Sequence, residues 1–258
     1  MRMFTFLCTT ASVVLLCCVH SEGASRRPAQ RTASRFDCQE RFERALRRFE
    51  RRRYSEAAAQ LEEIRFNCGG HGIIDSALYF LAMSYLQGKK PVEAQGVFER
   101  IVNNYPNSPF VPEARFRVAE CVFGQSKDYS RDQSETRDAI VRYREFVQMH
   151  PHTPWADSAA LRIDEAYDKL ARKMFENARF YERIREYDAA AVYYRSLLSE
   201  YPRSHYVDDA LVNLARALME RSRYSEAASV VEELLEESRP EEIRRRGEML
   251  RQRLESRL

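Results

Sequence analysis

The chain has 258 residues with only 8 Gly and 9 Pro, a composition that favours an almost wholly helical protein. Its basic side chains are 37 Arg and 5 Lys against 39 Asp and Glu, giving a formal net charge of +3. Because the positive and negative charges are nearly balanced, composition alone does not imply a nucleic-acid partner. The length does not require one large core if the chain is a repeat protein.

The N-terminus has the features of a bacterial export signal: one Arg, an apolar run over 3–19, then small and polar residues. The run is too short and interrupted to span a bilayer comfortably. Two processing routes are open. Cleavage after Gly23, with Ser21 at −3, would release a soluble protein. Alternatively, Leu15-Leu16-Cys17-Cys18 resembles a lipobox, with Cys18 as the lipidated residue and 1–18 as the signal peptide. Both routes take the protein out of the cytoplasm.

Residues 19–35 are predicted to form a flexible basic tether between the signal and the first helix. Its arginines, among them Arg26 and Arg27, could lie near anionic lipid head groups. A solvated linker explains the same composition.

A repeated spacing dominates the rest of the chain. A small residue is followed by a bulky apolar one at +4, Pro at +12, and a second small and bulky pair at +20 and +24. Such self-similarity indicates a repeat architecture. Its copies are Ala57-Leu61-Gly69-Ala77-Leu81, with Gly in place of Pro, then Ala94-Phe98-Pro106-Ala114-Val118, Ala139-Tyr143-Pro151-Ala159-Ile163 and Ala190-Tyr194-Pro202-Ala210-Leu214, and a shorter fifth that starts Ala227-Val231.

The spacing predicts an all-α tetratricopeptide-repeat solenoid of about five helix-turn-helix repeats. Residues at i and i+4 share a helix face, and Pro ends the helix that precedes it. Ser108, Thr153 and Ser204 are predicted to cap the next helix, with Pro109 and Pro154 at its first position. The predicted repeats are 36–70, 71–107, 108–152, 153–203 and 204–237, followed by a charged capping helix over 238–258 that covers the last repeat through Ile243, Met249 and Leu250.

The intervals between repeats are irregular. Successive Ala markers are 17, 25, 31 and 17 residues apart: 77 to 94, 114 to 139, 159 to 190 and 210 to 227. The eight extra residues of the third repeat are polar and predict a longer loop. The fourteen extra residues of the fourth repeat contain no Gly or Pro, which predicts a long helix over 155–183, with about two turns added to each helix of that pair.

Three cysteines follow the signal region. Cys38 and Cys68 lie equally far from a hairpin that folds near Arg53, so an oxidising compartment permits a disulfide between them. Two separate thiols are the alternative. Cys121 lies on an apolar face with Val118 and Val122 and is predicted to be core.

No catalytic set is present. His150 and His152 flank a turn without further ligands at metal-binding spacing, and no glycine-rich phosphate loop or nucleophile motif occurs. We therefore expect no enzyme activity, no metal and no cofactor.

The first helix of each repeat builds the concave wall of such a solenoid. Tyr79, Met83 and Arg115 are accordingly the candidates for binding a polypeptide there. Most other aromatic residues at the repeat markers are better explained by packing between helices. The arginines of the first helix could pair with an acidic partner, although a solvated face explains them as well; they are Arg41, Arg44, Arg47, Arg48 and Arg51.

Over residues 36–237 the order of elements resembles the BamD (YfiO) family of outer-membrane protein assembly lipoproteins. The unequal spacing of repeats carries this resemblance, together with three groups of residues. They are Asp132-Gln133-Ser134-Glu135-Thr136 with Ala139 and Phe146; Leu170-Ala171, Glu176, Ala178 and Tyr181; and Tyr187, Ala190 and Tyr201-Pro202.

The resemblance implies a lipid-anchored outer-membrane protein that faces the periplasm. It implies docking on a BamA-like barrel protein through the C-terminal repeats, and reception of unfolded outer-membrane proteins by the N-terminal repeats. The alternative is another periplasmic repeat adaptor, such as a Tol-Pal or cell-division coordinator.

Overall fold

The computed structural model describes residues 37–257, and the signal peptide, Cys18 and the tether lie outside this part of the chain. Residues 37–257 contain eleven α-helices and no strand. The helices are α1 (Cys38–Glu50), α2 (Tyr54–Asn67), α3 (Ile74–Gln87), α4 (Pro91–Asn104), α5 (Val111–Gln125), α6 (Ser134–Met149), α7 (Pro154–Arg183), α8 (Tyr187–Glu200), α9 (Val207–Glu220), α10 (Tyr224–Leu234) and α11 (Glu241–Glu255).

The first ten helices form five consecutive pairs, and each helix packs on the one before and the one after it. This confirms the predicted all-α repeat solenoid. The small and bulky markers of the second helices form its centre, because a small side chain lets the neighbouring helix approach while the bulky one fills the gap. These markers are at most 2% exposed: Ala57, Leu61, Ala94, Phe98, Ala139, Tyr143, Ala190, Tyr194, Ala227 and Val231.

The turn inside four of the five pairs has one conformation. One residue in each of these turns has a positive φ, between 58° and 64°; these residues are Arg52, Lys89, Arg185 and Ser222. A residue in the left-handed backbone conformation ends a helix in a tight turn. For a residue other than glycine this conformation costs about 1–2 kcal/mol. The third pair has the predicted longer loop at this place, residues 126–133.

The turns between pairs differ from the predicted capping. Helices α5 and α9 begin at Val111 and Val207, three residues after Ser108 and Ser204. Both hydroxyls accept a bond from the backbone N–H two residues on, because a tighter turn, closed from Val111 N to the carbonyl of Ser108, precedes the helix. Pro109 therefore lies before α5, contrary to prediction.

Thr153 does hold the N-cap position of α7, with Pro154 first in the helix, but its hydroxyl donates to the carbonyl of His150 instead of accepting from the helix.

Helix α7 has 30 residues, which confirms the predicted long helix, whereas α8 has 14. The expectation that both helices share the extension is therefore wrong. Helix α8 packs on the C-terminal half of α7, where Leu170, Phe175 and Ala178 are buried against Ala190 and Tyr194. The added turns thus place α8 beyond the position that a standard repeat would give it.

Helix α11 packs on α9 and α10 and covers the end of the last repeat. Ile243, Leu250 and Leu254 are buried there, and a Cβ on Gly247 would lie 3.1 Å from one side-chain atom each of Leu234 and Leu235. Met249 is 57% exposed, so its predicted packing role is wrong. Successive residues of a helix are rotated by about 100° around its axis, so position 249 lies off the face that Leu250 and Leu254 share.

Candidate functional site

Side chains at and near the first helices of repeats two to four contact one another in a row, which we call the inner wall. Its residues are Tyr79, Phe110, Glu113, Arg117, Glu120, Trp155 and Arg162. Tyr79 of α3 begins it. Its ring stacks on Phe110 with centroids 4.4 Å apart, and its hydroxyl donates to Glu113 of α5 at 2.9 Å. Burial and the neighbouring Glu113 carboxylate raise the pKa of Tyr79 to about 12, so the phenol stays a donor at neutral pH.

Arg117 is the centre of the inner wall. Its guanidinium donates to Glu113 at 3.0 Å and to Glu120 at 2.6 Å, and its side chain is 19% exposed. Burial alone would lower the pKa of Arg117, but the hydrogen bonds that it donates to Glu120 and Glu113, and their negative charges, raise it above its ordinary value. The same guanidinium lies 4.9 Å from the ring of Trp155, and Arg162 of α7 reaches Glu120 at 3.7 Å. The wall is therefore a row of rings and paired charges.

The structure separates the predicted polypeptide-binding residues. Met83 lies one turn after Tyr79 on the same helix and is half-buried. Arg115 instead lines a cavity of about 220 Å³ with residues of the second helices α4 and α6, including Glu99 and Arg142. Tyr79 and Arg115 thus do not share a site.

Arg117 is the arginine beside Tyr79, and sequence reasoning missed it. The available signal was the spacing of Glu113, Arg117 and Glu120, which places all three on one face of α5.

Arginines of α1 pair with glutamates of their own chain. Arg41 lies 2.8 Å from Glu63, and Arg48 lies 3.2 Å from Glu56. Because these pairs are exposed they contribute little to stability, and they offset part of the positive charge that this face would offer to an acidic partner.

Cys38 and Cys68 form a disulfide that joins the start of α1 to the end of α2. Cys121 is a buried free thiol. Burial raises the pKa of Cys121 to about 12, so it stays protonated and unreactive.

Apolar side chains are exposed where α7 ends and α8 passes beside it. Phe180 is 49% exposed and Ile184, one turn later, is 51% exposed. Next to them, the rings of Tyr181 and Tyr193 stack with centroids 5.3 Å apart. We call these four residues the α7–α8 apolar patch. Clustered exposed apolar residues of this kind mark interaction sites more often than single ones do.

Across residues 37–257 no group of His, Cys, Asp and Glu converges as metal ligands. The helices described there include none with the length and apolar character needed to cross a membrane. What the chain presents is a stack of helix pairs with an inner wall, which defines a tetratricopeptide-repeat scaffold.

The YfiO family model, described as an outer membrane lipoprotein, matches residues 36–234, and the chain belongs to this family. This family of outer-membrane protein assembly factors is non-enzymatic, and the protein is accordingly not an enzyme.

Relatives named outer membrane protein assembly factor BamD align with the chain. The protein of Caulobacter vibrioides is 30% identical over 53% of this chain and 45% of its own length, so the match spans less than half of that relative. The protein of Rickettsia prowazekii is 23% identical over 69% of this chain and 71% of its own. The protein of Pasteurella multocida is 21% identical over 82% and 81%.

Proposed function

We propose that this protein is a non-catalytic scaffold of the complex that assembles β-barrel proteins into the outer membrane. The observation that carries the proposal is the family match over residues 36–234, joined by the assembly-factor names of the relatives. In this proposal the protein is anchored in the outer membrane by a lipid on Cys18 and faces the periplasm.

The proposed docking partner is a BamA-like barrel protein, bound through the C-terminal repeats. The α7–α8 apolar patch supports this, because the exposed ring of Phe180 and the exposed Ile184 offer area that a partner could bury. Aromatic residues supply large contact area at low entropic cost, which is why they dominate protein interfaces.

The proposed cargo is an unfolded outer-membrane protein, received by the N-terminal repeats on the inner wall. Strands of such barrels alternate apolar and polar residues. The inner wall offers rings at Tyr79, Phe110 and Trp155 between paired charges, so an extended segment could place its apolar side chains on the rings.

Affinity capture from detergent-solubilised outer membrane tests the partner. We expect recovery of the BamA-like barrel, and a marked loss of it in Phe180→Ser and Ile184→Ser. Val92→Ser is the matched control, because Val92 of α4 is 62% exposed and distant in sequence from the patch. Capture of Tol-Pal components without the barrel would refute the proposal and support the alternative adaptor.

Metabolic labelling with a fatty-acid analogue tests the anchor. Label should be lost in Cys18→Ala and kept in Ser21→Leu, which blocks only the alternative cleavage after Gly23. Label that persists in Cys18→Ala would refute this anchor.

Photo-crosslinking tests the cargo surface. A crosslinker in place of Met83 should capture an unfolded barrel protein, whereas one in place of Arg115 should not. Equal capture at both positions would contradict an inner-wall site.

A further inference from the structure

The two irregular intervals of the sequence meet in space at a cavity of about 690 Å³, which nothing in the proposed function uses. Its walls are the 126–133 loop, the middle of α7 and the turn between α8 and α9. Lys169 of α7 donates to the hydroxyl of Ser126 at 2.7 Å, and Lys173 donates to the carbonyl of Arg131 at 2.6 Å. Gln133 is buried and donates its side-chain amide to loop carbonyls, which holds the loop in this shape.

Cations line this cavity. Lys127, Lys169 and Arg172 face it. In the described part of the chain, Lys169 contacts a hydroxyl and Arg172 contacts a ring, not carboxylates. The Arg172 guanidinium lies 4.0 Å from the ring centroid of Tyr129. Stacking uses the face of a guanidinium and leaves its N–H donors at the edge, where they fit the two oxygens of a carboxylate.

The carboxylates that line the cavity already accept hydrogen bonds from neighbouring residues. Asp168 accepts from the backbone N–H of His205 at 2.9 Å and also contacts its ring. Asp128 accepts from the backbone N–H of Ser130 at 3.0 Å; hydrogen bonds from Ser130 and, to a smaller degree, the charges of Arg172 and Lys169 keep the pKa of Asp128 below its ordinary value. Within residues 37–257 neither carboxylate forms an ion pair with Lys169 or Arg172, so both cations keep N–H donors for a further acceptor.

The positive charge of Lys169 is only partly balanced by nearby carboxylates. Burial lowers the pKa of Lys169, and this effect outweighs the attraction of Asp128 and Glu135. A half-buried ammonium with too little negative charge around it would gain from an added anionic group.

We propose that this cavity binds an acidic segment of a polypeptide, with Lys169 and Arg172 as the residues that bind its carboxylates. A polypeptide fits better than a free phosphate for two reasons. The donors are side chains spread around a wide cavity rather than a compact nest of backbone N–H groups. Tyr129 and Tyr206 also line it, and these rings offer contact area to a chain. The proposal does not depend on the identity of the barrel partner or of the cargo.

Fluorescence anisotropy with the purified full-length protein tests it directly. The probe is a fluorescein-labelled peptide of alternating Asp and Gly, compared with the same peptide carrying Asn for Asp. We expect binding of the Asp peptide only, and an affinity about tenfold lower in Lys169→Gln and in Arg172→Gln, as for the loss of one charge-assisted hydrogen bond. Lys90→Gln removes one exposed cation in the turn before α4 and should leave the affinity unchanged.

Arg172→Lys separates charge from shape, because it keeps the positive charge and loses the planar fork; its affinity should lie between those of the wild type and Arg172→Gln. Three results would overturn the proposal: equal binding of the Asn peptide, an equal loss in Lys90→Gln, or no loss in Lys169→Gln and Arg172→Gln. Displacement of the peptide by inorganic phosphate at matched ionic strength would instead assign the site to phosphate.

Discussion

Removing the Cys38–Cys68 disulfide should destabilise the first repeat and leave the middle of the solenoid intact. The bond joins residues 30 apart in the sequence. In the loop-closure model, a crosslink that closes a loop of this length raises the free energy of the unfolded chain by about 3.6 kcal/mol at 25 °C. Stability in a solenoid is close to a sum over repeats and their interfaces, so the loss should stay local.

Within residues 37–257, α1 packs chiefly on α2 and α3, with Phe42 and Phe49 against Phe80 at centroid distances of 6.1 and 5.4 Å. The disulfide adds to this packing, so its loss should weaken the first repeat. If α1 and α2 open together, a loss of about 3.6 kcal/mol raises their open population about 400-fold.

Hydrogen exchange with mass spectrometry measures this population. The variant is the double substitution Cys38→Ser with Cys68→Ser, which leaves neither member of the pair as a free thiol, and intact mass with and without reduction checks that the wild type is oxidised. Trp155, the single tryptophan, lies in α7 and serves as the internal control. Its fluorescence transition in denaturant should be almost unchanged.

Two results would refute this reasoning. Unchanged exchange in α1 and α2 would mean that packing alone holds the first repeat. A parallel loss of protection in α7 would mean that the repeats unfold as one unit.

Three further predictions concern single side chains. Burial raises the pKa of Glu182 above its ordinary 4.5, so its ionisation disfavours folding. Glu182→Gln should therefore be more stable at neutral pH, and the gap in unfolding free energy measured by urea denaturation should close as the pH falls through the raised pKa to about 4.5. The buried hydroxyl of Tyr143 has no partner in the described part of the chain, so Tyr143→Phe should match or exceed wild-type stability, and a loss above about 1 kcal/mol would contradict this. Gly247→Leu should overpack the contact with Leu234 and cost about 1–3 kcal/mol, seen as faster exchange of α11, with the exposed Met249→Leu as the control.

The repeat core was predictable because its determinants are local. A residue pair such as Ala190 and Tyr194 shares a face in any α-helix, so its burial follows from spacing alone. The inner wall was less predictable, because each first helix has more than one face that packs on a neighbour. Arg115 and Arg117 are two residues apart, which is about 200° around α5, so one lines the cavity toward α4 and α6 and the other pairs beside Tyr79. Only the glutamates at matching spacing distinguish them.

The division of the fourth-repeat insertion could not be read from periodicity. Fourteen residues make about 3.9 turns and seven make about 1.9, so adding all of them to α7 or half to each helix keeps the apolar faces almost equally in phase. Contacts with distant parts of the chain decide between these two ways of placing the fourteen residues. The added turns of α7 present Lys169, Arg172 and Lys173 to the 126–133 loop. The third-repeat loop and the long helix, the two irregular intervals of the sequence, thus contact each other in the fold, and this contact favours placing the added residues in α7.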